Sequence, residues 1–218
     1  ARQMGKPVAV GGPDPTLRPE IYAAADYLVL GEGELAVPQW LTDFGRGAAR
    51  GRYQVTGWAD LDASPLPRFD LIRREDYLYA GIQFSRGCPH GCEFCDIAQL
   101  AGRSPRVKSP SRMLAELMAW HDLGWRHEML FVDDNLTAHP VAAKEFLRHL
   151  IPWQADRRYP FFFACQATVA IARDEELLRL LHDAGFRYAF LGLETPEPAA
   201  LAAMGKSTNL KGELLGEL

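Results

Sequence analysis

Long apolar runs are absent from this chain. The most hydrophobic stretch, residues 159–172, is too short to cross a bilayer as a helix and carries Gln166 and Thr168. No signal-peptide pattern opens the sequence. An excess of positive charge is also missing. Lys and Arg number 24 against 28 Asp and Glu, a formal net charge of −4, so no broad phosphate-binding surface is expected and nucleic acid is not an expected partner. Cysteine is scarce, with four in 218 residues. That number and its arrangement exclude a secreted disulfide framework and point to the reducing cytoplasm. What remains is ordinary globular composition, 48% hydrophobic and 24% charged, with enough chain for one large or two small domains.

The few cysteines are not scattered. Three fall in Arg86-Gly87-Cys88-Pro89-His90-Gly91-Cys92-Glu93-Phe94-Cys95, with spacing CxxxCxxC. Gly87, Pro89 and Gly91 allow the backbone to turn so that all three sulfurs face one centre. Structural zinc pairs its cysteines and completes four ligands, and the remaining Cys165 lies far away in an apolar run, where it reads as a small buried hydrophobe. Soft thiolates with no fourth partner suit an iron–sulfur cluster, and three of them on a four-iron cube leave one iron without a protein ligand.

Around this motif the pattern is one of alternating strands and helices. Strands are expected over residues 7–10, 27–30, 81–85, 128–132, 161–165 and 188–191. Helices are expected over 18–25, 34–44 with Gly45 as the stop, from Ser109 or Ser111 to Leu123, and over 140–151. A further helix is capped by Asp174 and stopped by Gly185, and another opens at Pro198. Residues 46–77 lose periodicity and read as a linker or a long surface loop. The second half is a series of βα units, whose functional residues belong at the carboxyl ends of the strands. Asp133-Asp134-Asn135, Gln166 and Gly192-Leu193-Glu194 fall there, although Asp134 or Asn135 could simply make a turn and Glu194 could favour a helix start. Arg103, Arg106 and Lys108 form a basic cluster that is either a solvated loop or a partner for an anionic group. In the first half the turns Gly11-Gly12 and Gly31-Glu32-Gly33 follow strands. They are tight turns, ligand-binding turns, or both.

CxxxCxxC with Phe94 before its last cysteine resembles the signature of the radical S-adenosylmethionine (SAM) enzymes. The run SRGCPHGCEFCDI…GRSPRVKSP…VDDN…LGLETP is similar to the cobalamin-dependent group that contains the hopanoid methylases. The resemblance implies an α/β fold, a partial radical SAM (βα) barrel over residues 79–218 with four units. It is preceded by the C-terminal half of a Rossmann-like cobalamin-binding domain (residues 1–50) and a linker (51–78). It implies a [4Fe-4S] cluster on Cys88, Cys92 and Cys95, and SAM at the free iron, supported by Phe94, Asp133, Asp134, Gln166 and Glu194. It also implies cobalamin along Gly11, Gly12, Gly31, Glu32 and Gly33. The family's DxHxxG motif would lie upstream and does not occur here; some members leave cobalt without a histidine.

The activity implied is methyl transfer to an unactivated carbon of a small-molecule substrate, a hopanoid-like lipid among the candidates. An electron donor such as flavodoxin or ferredoxin would supply the reducing electron. Oxidative cyclisation without methyl transfer and a plain electron-transfer module are the alternatives. Ala1-Arg2-Gln3 is not an initiation sequence and four βα units do not close a barrel, so the expectation is a fragment of a longer protein, which by itself could also be catalytically inert.

Overall fold

The computed structural model describes residues 2–206 and Asn209. The chain divides between Ser64 and Pro65 into two compact units. In the first, β1 (Ala9–Gly11), β2 (Tyr27–Leu30) and β3 (Arg52–Gln54) form a parallel sheet in that order. The Asp26 carboxylate takes the Val8 N–H at 2.8 Å just before β1 begins, so the strand expected over 7–10 is shorter and displaced. The helix expected over 18–25 does not form as one piece. Instead α1 (Pro13–Leu17) is followed by a 3-10 turn (Pro19–Tyr22). Pro19 has no N–H to continue α1 and disfavours helical backbone at Arg18, which sits at φ −130° and ψ 59°. The helix expected over 34–44 is α2 (Gly33–Gly45), with Gly45 inside it and Arg46 as its cap.

Strand β3 lies within the stretch that the sequence reads as linker. Only Tyr53 of its three residues is buried, too little for a periodic signal. The Tyr53 hydroxyl donates to Asp43 of α2 at 2.9 Å, which ties β3 to the unit's long helix.

The second unit carries β4 (Ala80–Ile82), β5 (Ser85–Arg86), α3 (Ile97–Leu100), β6 (Arg106–Val107), α4 (Pro110–Asp122), β7 (Glu128–Phe131), α5 (Pro140–Asp156), β8 (Phe162–Ala167), α6 (Glu175–Ala184), β9 (Phe186–Leu191) and α7 (Pro198–Ala203). Its main sheet is β4-β7-β8-β9, all parallel and in chain order, as successive βα units require. The single strand expected over 81–85 is broken. After Ile82 the chain leaves the sheet, and β5 pairs antiparallel with β6.

Three helix starts are held by side chains: Ser109 accepts from the Arg112 N–H, His139 from Ala142 and Asp174 from Leu177. Of the two serines considered for α4, Ser109 is the cap. Helix α5 runs through Pro152 to Asp156, beyond the end expected at Ile151, because the turn after the proline buries Trp153 and Gln154. Gln154 Nε2 donates to the carbonyls of Phe161 (2.9 Å) and Ala184 (3.0 Å), joining the start of β8 to the end of α6.

Alternation along the strands sorts the two faces of the sheet. Met129, Phe131, Phe163, Cys165 and Ala167 are buried in the core cluster shared with α4, α5 and α6. Val132, Phe162, Gln166 and Phe190 are exposed. Phe131 stands at the core's centre, its ring 5.4 Å from Phe163 and 5.1 Å from Phe186. Phe163 is fully buried, so Phe163→Ala is predicted to cost about 3–5 kcal/mol in urea denaturation. A loss below about 1 kcal/mol would contradict this packing.

Candidate cofactor site

The cysteine loop begins where β4 ends. Val132 N–H donates to Ile82 O at 2.8 Å as the last sheet bond on that side, and the chain then turns away. The loop's neck is the β5–β6 ladder, with Ser85 opposite Val107 and Arg86 opposite Arg106. Inside the neck, Cys88 N–H donates to Gly102 O at 3.2 Å. Gly87 is required there. Its φ is +98°, and a Cβ would stand 3.0 Å from the carbonyl oxygens of both Ala101 and Gly102. A turn from Cys95 N–H to Cys92 O (3.1 Å) brings the last two cysteines round.

Cys88 and Cys92 are half-buried and Cys95 is exposed, and all three are free thiols. Burial raises the Cys88 thiol above its ordinary range, the His90 N–H and the Asn135 side chain oppose this as hydrogen-bond partners, and the Cys95 and Cys92 charges add to the rise. The three sulfurs are thus electrostatic neighbours. Among the described residues, no group of three or more His, Cys, Asp or Glu is drawn together around a point for one metal ion. Three soft donors on one loop with no fourth protein partner are the chemistry of an iron–sulfur ligand set. Cys165 lies on β8, 2% exposed, and its thiol is pushed up to about 12 by burial and by the charge of Asp133. It is outside this group.

The sequence candidates for SAM contact divide in two. Asp133 is fully buried at the end of β7. Its carboxylate accepts from the Phe84 N–H at 3.0 Å, from the Ser85 N–H, and from Ser85 Oγ at 2.5 Å. Those N–H groups are the ones released when the chain leaves the sheet after Ile82. Asp133 is therefore a strap for the cluster loop, and its side chain has no surface to offer SAM.

The other candidates lie open around the carboxyl ends of the strands. Asp134 is exposed; partial desolvation raises its carboxyl above the usual range against the pull of the nearby Arg86 charge. Gln166 is exposed on β8, opposite Phe190 of β9. Glu194, in left-handed backbone at φ +64°, pairs with Lys206 Nζ at 2.7 Å. Phe94 is 55% exposed, with the Lys206 ammonium 5.6 Å from its ring centre.

One residue near these groups, Lys206, had not been singled out from sequence. It has no local signal, because α7 must return before it can meet Glu194. The same return lets Glu93 N–H donate to Met204 O at 2.9 Å, so the segment after α7 clasps the cysteine loop. Asn135, read from sequence as a rim residue or a turn, makes the turn: its Oδ1 accepts from the Thr137 N–H at 3.2 Å and from Thr137 Oγ1 at 2.9 Å.

In the first unit, the five cobalamin candidates lie at the sheet's carboxyl end, Gly11 as the last residue of β1 and the other four just after β1 or β2. Gly11 is required for sheet packing, since a Cβ there would lie 2.5 Å from Val29 O. Gly31 donates to Thr16 Oγ1 at 3.0 Å. Glu32 is buried and accepts from the Ala59 N–H at 2.6 Å, so it ties down the loop after β3. Gly12, at φ +105°, has nothing within 4 Å of a Cβ position, and Gly33 opens α2. Of the five, Gly12 and Gly33 leave the open backbone that a nucleotide tail would need.

These features define a βα-repeat domain with a three-cysteine loop at the carboxyl end of its first sheet strand. The chain belongs to the radical SAM superfamily, whose family model matches residues 82–211. An uncharacterized methyltransferase of Synechocystis sp. is 41% identical over 98% of this chain and 40% of its own length. The hopanoid C-2 methylase of Rhodopseudomonas palustris is 38% identical over 99% of this chain and 42% of its own length. The chain thus spans about two fifths of the curated relatives it matches. The radical SAM methyltransferase TsrM of Kitasatospora setae aligns with a TM-score of 0.75 at 20% identity, over 93% of this chain and 44% of that one. At that identity the likeness establishes the fold. No helix among the described residues is long and apolar enough to cross a membrane.

Burial sets a testable pH dependence at the strap. It lifts the Asp133 carboxyl from 3.8 to about 6, although Ser85 and Phe84 donate to its ionised form. A carboxyl with its folded pKa above the unfolded value favours folding most at low pH, and that contribution is lost as pH rises through about 6. Urea denaturation of wild type and Asp133→Asn between pH 4 and 7.5 is therefore predicted to show the wild type losing ground to the variant as pH rises. The change is on the order of 2–3 kcal/mol. A difference independent of pH would contradict it.

Proposed function

We propose that this chain is the cofactor-bearing part of a cobalamin-dependent radical SAM methyltransferase that methylates an unactivated carbon of a small-molecule substrate. The observation that carries the reading is the loop of Cys88, Cys92 and Cys95, set between β5 and β6 where the parallel strands end, in a superfamily member whose relatives include named methyltransferases. Cys88, Cys92 and Cys95 hold a [4Fe-4S] cluster and leave one iron for SAM. When bound, cluster and SAM supply a hydrogen-abstracting adenosyl radical, and cobalamin a transferable methyl group.

The protein's own part is to bind, orient and exclude solvent. Phe94 offers an apolar face beside the cysteines. Asp134, Gln166 and Glu194 offer hydrogen-bond acceptors or donors for the ammonium and hydroxyl groups of SAM, with Lys206 fixing the direction of Glu194. Asp133 holds the loop's entry. Residues up to Ser64 contribute the carboxyl ends of β1 and β2 to cobalamin, through the open backbone at Gly12 and Gly33. A flavodoxin- or ferredoxin-like donor delivers the electron, and a reducing cytoplasm keeps the thiols available. A hopanoid-like lipid is the substrate to try first, given the hopanoid methylase relative.

The test is anaerobic reconstitution with iron and sulfide, then dithionite and SAM, with 5′-deoxyadenosine as the readout. Wild type is predicted to release it, and Cys92→Ala to lose at least about 100-fold in rate, since a two-cysteine site cannot hold the cluster. Equal release from both proteins would sink the proposal. A product that gains no methyl group, assayed in the full-length protein, would favour the cyclase chemistry instead.

A further inference from the structure

One hydroxyl joins the two glycine turns of the first unit. Gly12 follows β1 at φ +105° and Gly31 follows β2 at φ +87°, both in backbone that residues with a Cβ rarely adopt. Strands β1 and β2 are parallel neighbours with Gly11 opposite Val29, so the turns lie side by side at the sheet's carboxyl end. Thr16 Oγ1 stands between them, 2.7 Å from Gly12 O and 3.0 Å from the Gly31 nitrogen. A carbonyl only accepts and an amide N–H only donates, so the hydroxyl donates to Gly12 and accepts from Gly31. The turns are also held from outside. Thr16 N–H donates to Gly12 O at 3.1 Å, and Glu32, next to Gly31, accepts from the Ala59 N–H at 2.6 Å.

We propose that Thr16 is a positioning residue for cobalamin, fixing the Gly12 turn against the Gly31-Glu32-Gly33 turn so that both present their open backbone together. The inference rests on the reading of these turns as the cobalamin site. Glycine loses more conformational freedom on ordering than any other residue. A ligand that lies along two glycine turns must order both, and that cost is subtracted from its affinity. A bridge already present in the protein removes the cost before binding. Thr16 thus acts through the two turns and needs no contact with the cofactor.

The plain alternative is a threonine that bonds back to the carbonyl four residues earlier, as threonine does in many helices. That role uses only the hydroxyl's donor and stays within α1. It gives no reason for Gly31, fifteen residues further on, to aim its N–H at the same oxygen. Valine has the shape of threonine and makes neither bond, whereas serine keeps both bonds and lacks only the methyl group. This difference separates packing from bridging.

The experiment is equilibrium dialysis of hydroxocobalamin against the full-length protein, with bound cofactor read from its visible absorption and folding followed by urea denaturation. Thr16→Val is expected to bind about tenfold more weakly, and Thr16→Ser to stay within about threefold of wild type. A role confined to α1 would lower the stability of Thr16→Val and leave its affinity unchanged. Hydrogen exchange at Gly31 in wild type needs no variant, and it serves if Thr16→Val does not fold. Saturating hydroxocobalamin is expected to slow that exchange at least about tenfold, because opening the bridge then also disturbs the bound site. Wild-type affinity in Thr16→Val, or Gly31 exchange that cobalamin leaves unchanged, would overturn the inference and leave the proposed function standing. A wild-type protein that binds no hydroxocobalamin would instead defeat the cobalamin reading as well, and would show itself before any variant is made.

Discussion

The second unit depends on how the Asp133 carboxylate is used. A parallel sheet that continued through Gln83 and Phe84 would have no reason to project a loop at that point. The chain does leave the sheet there, and in doing so it frees the N–H groups of Phe84 and Ser85 inside the protein. Leaving such donors unpaired costs about 1–3 kcal/mol each. Asp133, at the end of the neighbouring strand, accepts both of them and the Ser85 hydroxyl as well. The burial that this requires is unfavourable for a carboxylate, which is why its pKa lies near 6. The outcome is a corner of fixed direction three residues before Cys88.

From that corner the loop is gripped on several sides. The β5–β6 ladder closes its neck, Gly87 lets it pass under the carbonyls of Ala101 and Gly102, and the segment after α7 meets Glu93 from the far side. Lys206 then links this clasp to Glu194 and to the face of Phe94. Behind β6, Lys108 is buried in an ion pair with both oxygens of Glu116, which Arg112 also contacts. Of the basic run, that pair settles Lys108 alone. Lys108 serves the packing of α4, and its charge also helps Asp133 remain ionised. A loop with two half-buried thiols and one exposed thiol needs such external bracing, since it has little core of its own.

Much of the βα order was legible because α4 and α6 carry side-chain caps and β2, β7 and β8 carry apolar runs. Ser109, Asp174 and Gly185 act as those residue types act locally. The cysteine spacing was legible for the same reason, being chemistry written within eight residues. What sequence did not yield are features created by tertiary return. Strand β3 has one buried residue, β5 exists only because β6 comes back to it, and Lys206 meets Glu194 only after α7. Asp133 and Glu32 were assigned outward roles because both follow strands at the ligand-binding end. Each is instead turned inward to satisfy backbone N–H groups. Strand-end position selects polar residues for either purpose, and burial alone separates them.

On the proposed function, Cys88, Cys92 and Cys95, and not Cys165, hold a multi-iron cluster. Iron and sulfide analysis after anaerobic reconstitution tests it most directly, with each cysteine replaced singly by alanine. About four iron atoms per chain are expected in wild type and in Cys165→Ala, with loss of the cluster in each of the other three variants. Dependence on Cys165, or full iron content in any of the loop variants, would contradict it.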